Sequence, residues 1–178
     1  MRFSPTAIAG VTLVDLDLVT DDRGGFARLH CPEEFAQGGH PFVPVQTSLS
    51  RNSKALTLRG LHYEHAPREE AKLVRVMRGR IFDVAVDLRP ASPTYCQWTG
   101  VELSAANGRA LLIGRGMAHG FLTLEDESDV LYQIDQMYQP GFGQGARWND
   151  PAFGIVWPAA PQVMSGRDAS YPDLKAGA

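Results

Sequence analysis

The stretch Arg80-Ile81-Phe82-Asp83-Val84-Ala85-Val86-Asp87-Leu88 repeats with a period of two, the signature of an extended strand. Phe82, Val84, Val86 and Leu88 fall on one face and Asp83, Ala85 and Asp87 on the other, because successive strand side chains point to opposite sides. Just ahead of it, Met77-Arg78-Gly79-Arg80 reads as a tight hairpin connection in which Gly79 is free to take a positive φ. Further short apolar stretches recur between turn signals, at 11–18, 56–63, 72–76, 99–103, 110–113, 120–124 and 130–134. The pattern predicts a short helix at 32–37 and irregular chain through the Gly- and Pro-rich stretch after Tyr138. Many short strands with few helices point to an all-β jelly roll of two sheets.

A chain of 178 residues, 44% of them hydrophobic, supplies the core of one domain, so 1–178 is read as a single unit with a tail of about ten residues. Charged residues make up 21% and the net charge is −3, which excludes a disordered chain and argues against a nucleic-acid binder. A local cluster of arginines can still hold a small anionic ligand. The N-terminus lacks the apolar core of a signal peptide, and no apolar run nears membrane-spanning length. Cys31 and Cys96 are too few and too far apart for a disulfide framework or a zinc site, so both read as reduced thiols and the expected compartment is cytoplasmic.

The chemistry-bearing residues sit in short, recognisable surroundings. In Thr57-Leu58-Arg59-Gly60-Leu61-His62-Tyr63 a cation and a glycine lie within three residues of a histidine. A lone strand histidine is more often structural than catalytic, but a neutral imidazole accepts protons near physiological pH, and glycine in a strand permits a bulge or a close approach. His119 lies in Gly116-Met117-Ala118-His119-Gly120-Phe121, again beside glycine. Lys72 opens a strand in parity with Val74 and Val76, where alone it would read as a snorkelling surface residue. Arg23, in Asp21-Asp22-Arg23-Gly24-Gly25-Phe26, alone reads as an exposed turn residue.

Taken in order, these segments resemble the dTDP-4-dehydrorhamnose 3,5-epimerase family. Asp22–Phe26 is similar to its DxRGxF segment, Leu58–Tyr63 to its LRGLH(Y/F) motif, and the runs 72–76, 83–89 and 92–94 to its KLVRV…DVAVDLR…SPT series. Ala118-His119-Gly120-Phe121, Tyr132, Tyr138, Trp148-Asn149-Asp150-Pro151, Ile155-Val156-Trp157-Pro158 and Ser165-Gly166-Arg167-Asp168 follow in family order, so the likeness covers about residues 3 to 172. It implies a cupin-type jelly roll (a double-stranded β-helix) that epimerises a nucleotide-diphosphate 4-keto-6-deoxyhexose at C3, C5 or both, in deoxysugar biosynthesis, with no metal and no organic cofactor. His62 would be the base, Asp168 the partner fixing its tautomer, Tyr132 the acid on the opposite face of the sugar, and Lys72 the cation beside the forming enolate. His119 would be a further substrate contact. Arg23 and Arg59 would hold the diphosphate. Gln46 and Ser48 would contact ligand, and Tyr138 and Phe26 would flank the nucleobase, one of them reaching across a homodimer whose N-terminal strand is exchanged.

The departures from the family pattern fall at ligand contacts. Arg28 replaces a glutamate, Ser48 an asparagine and Arg167 a lysine, and the loop at 141–144 lacks a glutamate. Arg28 has donors only, so it either reads a base with acceptors, such as cytosine, or turns to the diphosphate. Thymidine, cytidine and guanosine therefore all stay open. Three rival readings remain. In a metal-dependent cupin, His62, His65, Glu69 and His119 would be ligands, although the spacing of His62 and His65 is wrong for one strand face. A non-catalytic sugar-nucleotide-binding module would have no need of the His62, Asp168 and Tyr132 set. A ketosugar isomerase on the same scaffold would alter the base or tyrosine positions.

Overall fold

A computed structural model describes residues 1–174. In chain order its elements are β1 (Arg2–Pro5), β2 (Val11–Asp15), β3 (Val19–Asp21), β4 (Gly24–Phe26), α1 (Pro32–Gln37), β5 (Gln46–Asn52), β6 (Leu58–Glu64) and β7 (Lys72–Arg78). They continue with β8 (Arg80–Asp87), β9 (Trp98–Ser104), β10 (Ala110–Ile113), β11 (Met117–Thr123), β12 (Ser128–Ile134), β13 (Gly143–Gly145) and α2 (Gly166–Ala169). Strands β1-β2-β10-β7-β12-β5 form a six-stranded sheet, β13-β6-β11-β8-β9 a five-stranded one, and β3-β4 a separate two-stranded ribbon. From β5 to β12 the chain changes sheet at every step except between β8 and β9, which is the expected jelly roll.

The Met77–Arg80 connection is not the hairpin its sequence suggests. β7 pairs with β10 and β12, whereas β8 pairs with β9 and β11, so Gly79 turns a corner between the two sheets. The positive φ is present, at 74°, and any Cβ there would collide with Ser128. Two alternating strands around a glycine look the same in sequence whether they pair or part. Only the partners available elsewhere in the fold decide between those outcomes.

The alternation in β8 does separate two faces, and each has its own apolar cover. Ile81 and Ala85 pack between the sheets with Val11, Val74, Val76, Leu111, Phe121 and Val130. Val84, Val86 and Phe82 lie on the outer side, under Leu61, Ala146, Phe153 and Trp157, so the C-terminal segment roofs the five-stranded sheet. Phe35 and Phe42, from α1 and the loop after it, cover the outer face of the six-stranded sheet with Val14, Leu73 and Leu112. Arg75 sits buried under that cover, donating to the Gly108 and Leu29 carbonyls, and burial lowers its guanidinium to about 10. Asp83, His119, Lys72 and Tyr132 stand on the same side of their strands as the inter-sheet apolar residues.

Candidate active site

Two glycines set the site. Gly60 has φ 118°, and a Cβ on it would stand 2.6 Å from Gly120 Cα and 2.7 Å from the His119 carbonyl oxygen. This close approach of β6 to β11 coincides with a register shift between His119 and Phe121, which leaves His119 directly opposite His62. Residues opposite one another on neighbouring strands project to the same side, so both imidazoles face into the barrel. The bend expected from the glycines beside each histidine is therefore present.

The same bend brings in the C-terminal segment. Ser165 caps α2, its Oγ accepting the Asp168 backbone N–H at 3.0 Å. Asp168 is then placed so that Oδ1 lies 2.7 Å from His62 Nε2 and Oδ2 accepts the Gly60 backbone N–H at 3.2 Å. The Asp168 side chain is 6% exposed while that of His62 is 43% exposed, so the imidazole is held from behind and open in front. Burial holds the His62 imidazole below its ordinary value, Asp168 draws it back up, and the neighbouring Lys72 and His119 add to the lowering. The net effect is a neutral imidazole at neutral pH.

A second histidine–carboxylate pair lies deeper. His119, 3% exposed, has Nε2 2.7 Å from Asp83 Oδ1. The Tyr132 ring, on the facing sheet, meets His119 edge-on at 5.7 Å between centroids. Burial foremost, then the Asp83 charge, push the Tyr132 phenol well above its ordinary value, with Arg59 opposing. Lys72 is buried, with Nζ 2.8 Å from Glu70 Oε1. Burial and the Glu70 charge raise the nearby Glu64 carboxyl, Arg68 and Lys72 acting against them.

Two hollows meet at His62 and Arg167. The first, of about 440 Å³, is bordered by Arg59, Asp168 and Arg167; the second, of about 350 Å³, by Gln46, Ser48, Glu64, Glu70 and Tyr138. Arg59 is steadied by a 2.7 Å bond from Nε to Asn52 Oδ1, and Gln46 Nε2 donates to the Gln136 carbonyl at 2.6 Å. The fold thus gathers His62, Asp168, Arg59, Arg167, Gln46, Ser48 and Tyr138 around one cleft; Lys72, His119 and Tyr132 border neither hollow, His119 lying opposite His62 and Tyr132 against His119.

Four residues named from the sequence are not brought to His62 within the chain. Arg23 is fastened to Asp21, Nη2 to Oδ2 at 2.6 Å, and Phe26, 78% exposed, is on the same β3-β4 ribbon. Arg28 Nη1 lies 2.6 Å from Glu34 Oε1, so its guanidinium has a carboxylate partner of its own. His65 does not converge with His62; it is exposed and lies edge-on to Tyr63.

Sequence reasoning passed over Asp83, Glu70 and Tyr171. Asp83 had a usable signal, since a carboxylate on a strand buried on both faces requires a hydrogen-bonding partner. Glu70 and Tyr171 had none, because their contacts arise from a loop and from the chain end folding back.

The family model described as dTDP-4-dehydrorhamnose 3,5-epimerase matches residues 5–176. A relative of that name from Methanothermobacter thermautotrophicus is 40% identical over 177 residues, covering 98% of this chain and 95% of its own length. Another, from Salmonella typhimurium, is 41% identical over 171 residues, covering 95% and 93%. The crystal structure of the Bacillus anthracis dTDP-4-dehydrorhamnose 3,5-epimerase, with TDP and PPi bound, has a TM-score of 0.94 at 38% identity, covering 97% of this chain and 99% of that one. Likeness at this level in sequence and fold, across a site whose imidazole, carboxylate and arginines already converge, means that the chain belongs to the dTDP-4-dehydrorhamnose 3,5-epimerase family of carbohydrate epimerases, on the cupin-type jelly roll.

Proposed function

We propose that the chain epimerises a dTDP-4-keto-6-deoxyhexose by removing a proton next to the ketone and returning one on the opposite face. The observation that carries this reading is a partly open His62 imidazole backed by Asp168 at 2.7 Å, at the point where the two hollows meet. With Nε2–H donating to Asp168, Nδ1 carries the lone pair that takes the proton. Asp168 then stabilises the imidazolium that forms. Lys72, its ammonium held by Glu70, supplies positive charge to the enolate oxygen. Tyr132 keeps its proton because burial disfavours the phenolate, and it serves as the acid from the facing sheet. The diphosphate lies against Arg59 and Arg167, away from the Glu64 and Glu70 wall, where like charges would repel it.

Arg28 takes no part in reading the base, since Glu34 engages it, and the family likeness favours thymidine over cytidine. The active form is a homodimer: the exposed β3-β4 ribbon, with Val19 and Phe26 outward, carries Arg23 and Phe26 over the second subunit's cleft. Its setting is the cytoplasm, in deoxysugar biosynthesis. Incubation with dTDP-4-keto-6-deoxyglucose in D2O, read by NMR, tests the reading. Deuterium at C3 and C5 with inverted configuration supports it, and an unchanged sugar overturns it.

A further inference from the structure

We infer that Tyr171 is a positioning residue that wedges the His62 imidazole against Asp168 and fixes the Arg167 guanidinium at the junction of the two hollows, an inference that rests on His62 being the base. The Tyr171 ring meets the His62 ring edge-on, at 6.1 Å between centroids and 75° between planes. Its face carries the Arg167 guanidinium at 5.7 Å. One aromatic side chain therefore touches both the group assigned to take the proton and one of the cations assigned to the diphosphate.

Room for this ring is made on the strand next to His62. Gly145 lies directly opposite His62 in the β13–β6 pairing. The space that a Gly145 side chain would occupy is filled by the Tyr171 ring, which any Cβ there would strike. A glycine opposite His62 and an aromatic returning from the chain end are two halves of one arrangement.

The ring is also anchored on both sides along the chain. Before it, Asp168 is tied to His62 and Gly60, and the Ser165 cap holds α2. After it, Asp173 Oδ1 pairs with Arg147 Nη2 at 2.5 Å, the Leu174 backbone N–H donates to Asp150, and the Leu174 side chain joins the apolar cluster of Val84, Val86 and Phe153. A rotamer held between two fixed points restricts the imidazole it touches, and a loosely held base loses rate through misalignment.

The ring has two effects that experiment can separate. It keeps water from one edge of His62, and it keeps Arg167 from swinging out. In Tyr171→Ala the imidazole gains water, so its titration midpoint rises, by roughly half a unit or more. The acid limb of kcat/KM should move up with it. Loss of alignment should lower kcat on the order of tenfold, and release of Arg167 should raise KM a few-fold. Tyr171→Phe keeps the ring and should restore all three values. Gly145→Ala displaces the ring from the other side and should reproduce the Tyr171→Ala changes.

The test is an NMR titration of the His62 ring in the full chain, for wild type, Tyr171→Phe, Tyr171→Ala and Gly145→Ala, beside kcat and KM for each. The titration reads the imidazole whether or not His62 is the base, so the two readings fail separately. A shifted midpoint in Tyr171→Ala and Gly145→Ala with the wild-type midpoint in Tyr171→Phe supports the wedge. A wild-type midpoint and wild-type kcat in Tyr171→Ala overturn it. A shifted midpoint without change in kcat overturns the base assignment instead. Should Tyr171→Ala lose its near-UV circular dichroism, Gly145→Ala and Tyr171→Leu carry the same comparison.

Discussion

Gly60 and Gly120 face each other across β6 and β11 so closely that neither has room for a side chain: a Cβ on Gly120 would lie 2.8 Å from the Arg59 carbonyl oxygen and 2.9 Å from Leu61 Cδ2. The contact is the hinge of the site, because the register shift beside it aligns His119 with His62 and turns the Gly60 N–H to Asp168. Gly120→Ala should therefore cost about 1–3 kcal/mol of stability and more activity than that loss explains. Thermal melts beside kcat at a temperature where the variant stays folded would check this. A variant with a wild-type melt and wild-type kcat would contradict it.

Asp168→Asn keeps the shape of the side chain but removes the charge that stabilises a protonated His62. Its Oδ1 can still accept a hydrogen bond, so the fold should survive. The rate should fall on the order of 10²–10⁴-fold, mainly in kcat. A steady-state comparison under saturating substrate reads this directly, and a loss confined to KM would point to a binding role.

The pH profile carries a sign. As the proposed base, His62 works only when neutral, so activity should fall as pH drops through its folded pKa. Burial lowers that pKa, and so the acid limb of kcat/KM should lie below the ordinary histidine value of about 6.5. Tyr132 is displaced upward, so its limb should lie above neutrality. An acid limb above about 7 would mean that the Asp168 contribution outweighs burial.

Much of this was legible in the chain and some of it was not, for separable physical reasons. β8 and β12 were readable because their alternation is set by burial. β5, Gln46–Asn52, was missed because it is an edge strand with its polar residues to solvent, and β13, a Gly-Gln-Gly strand, has no side-chain pattern at all. The strand expected at 11–18 stops at Asp15, as the exposed residues beyond it have no neighbouring strand. The His62 and Asp168 pairing came from family likeness, since a separation of 106 positions leaves no local trace. The Lys72–Glu70 and Tyr171–His62 contacts depend on how a loop and a chain end fold back, which periodicity does not encode.

Tyr132→Phe separates exchange from inversion. Without its hydroxyl the facing sheet no longer delivers a proton, while His62 still removes one and returns it from the same side. The variant should wash deuterium into substrate recovered from D2O yet form little inverted product. NMR of recovered sugar distinguishes the outcomes, and normal inversion would assign the acid to another group.

The rate of solvent deuterium entry into the sugar measures the proton removal proposed for His62. In His62→Asn, with dTDP affinity checked by calorimetry to show an intact cleft, deuterium entry at C3 and C5 should fall at least about 10³-fold from wild type while dTDP binds as before. Exchange within about tenfold of wild type would contradict the account and place the base elsewhere in the cleft.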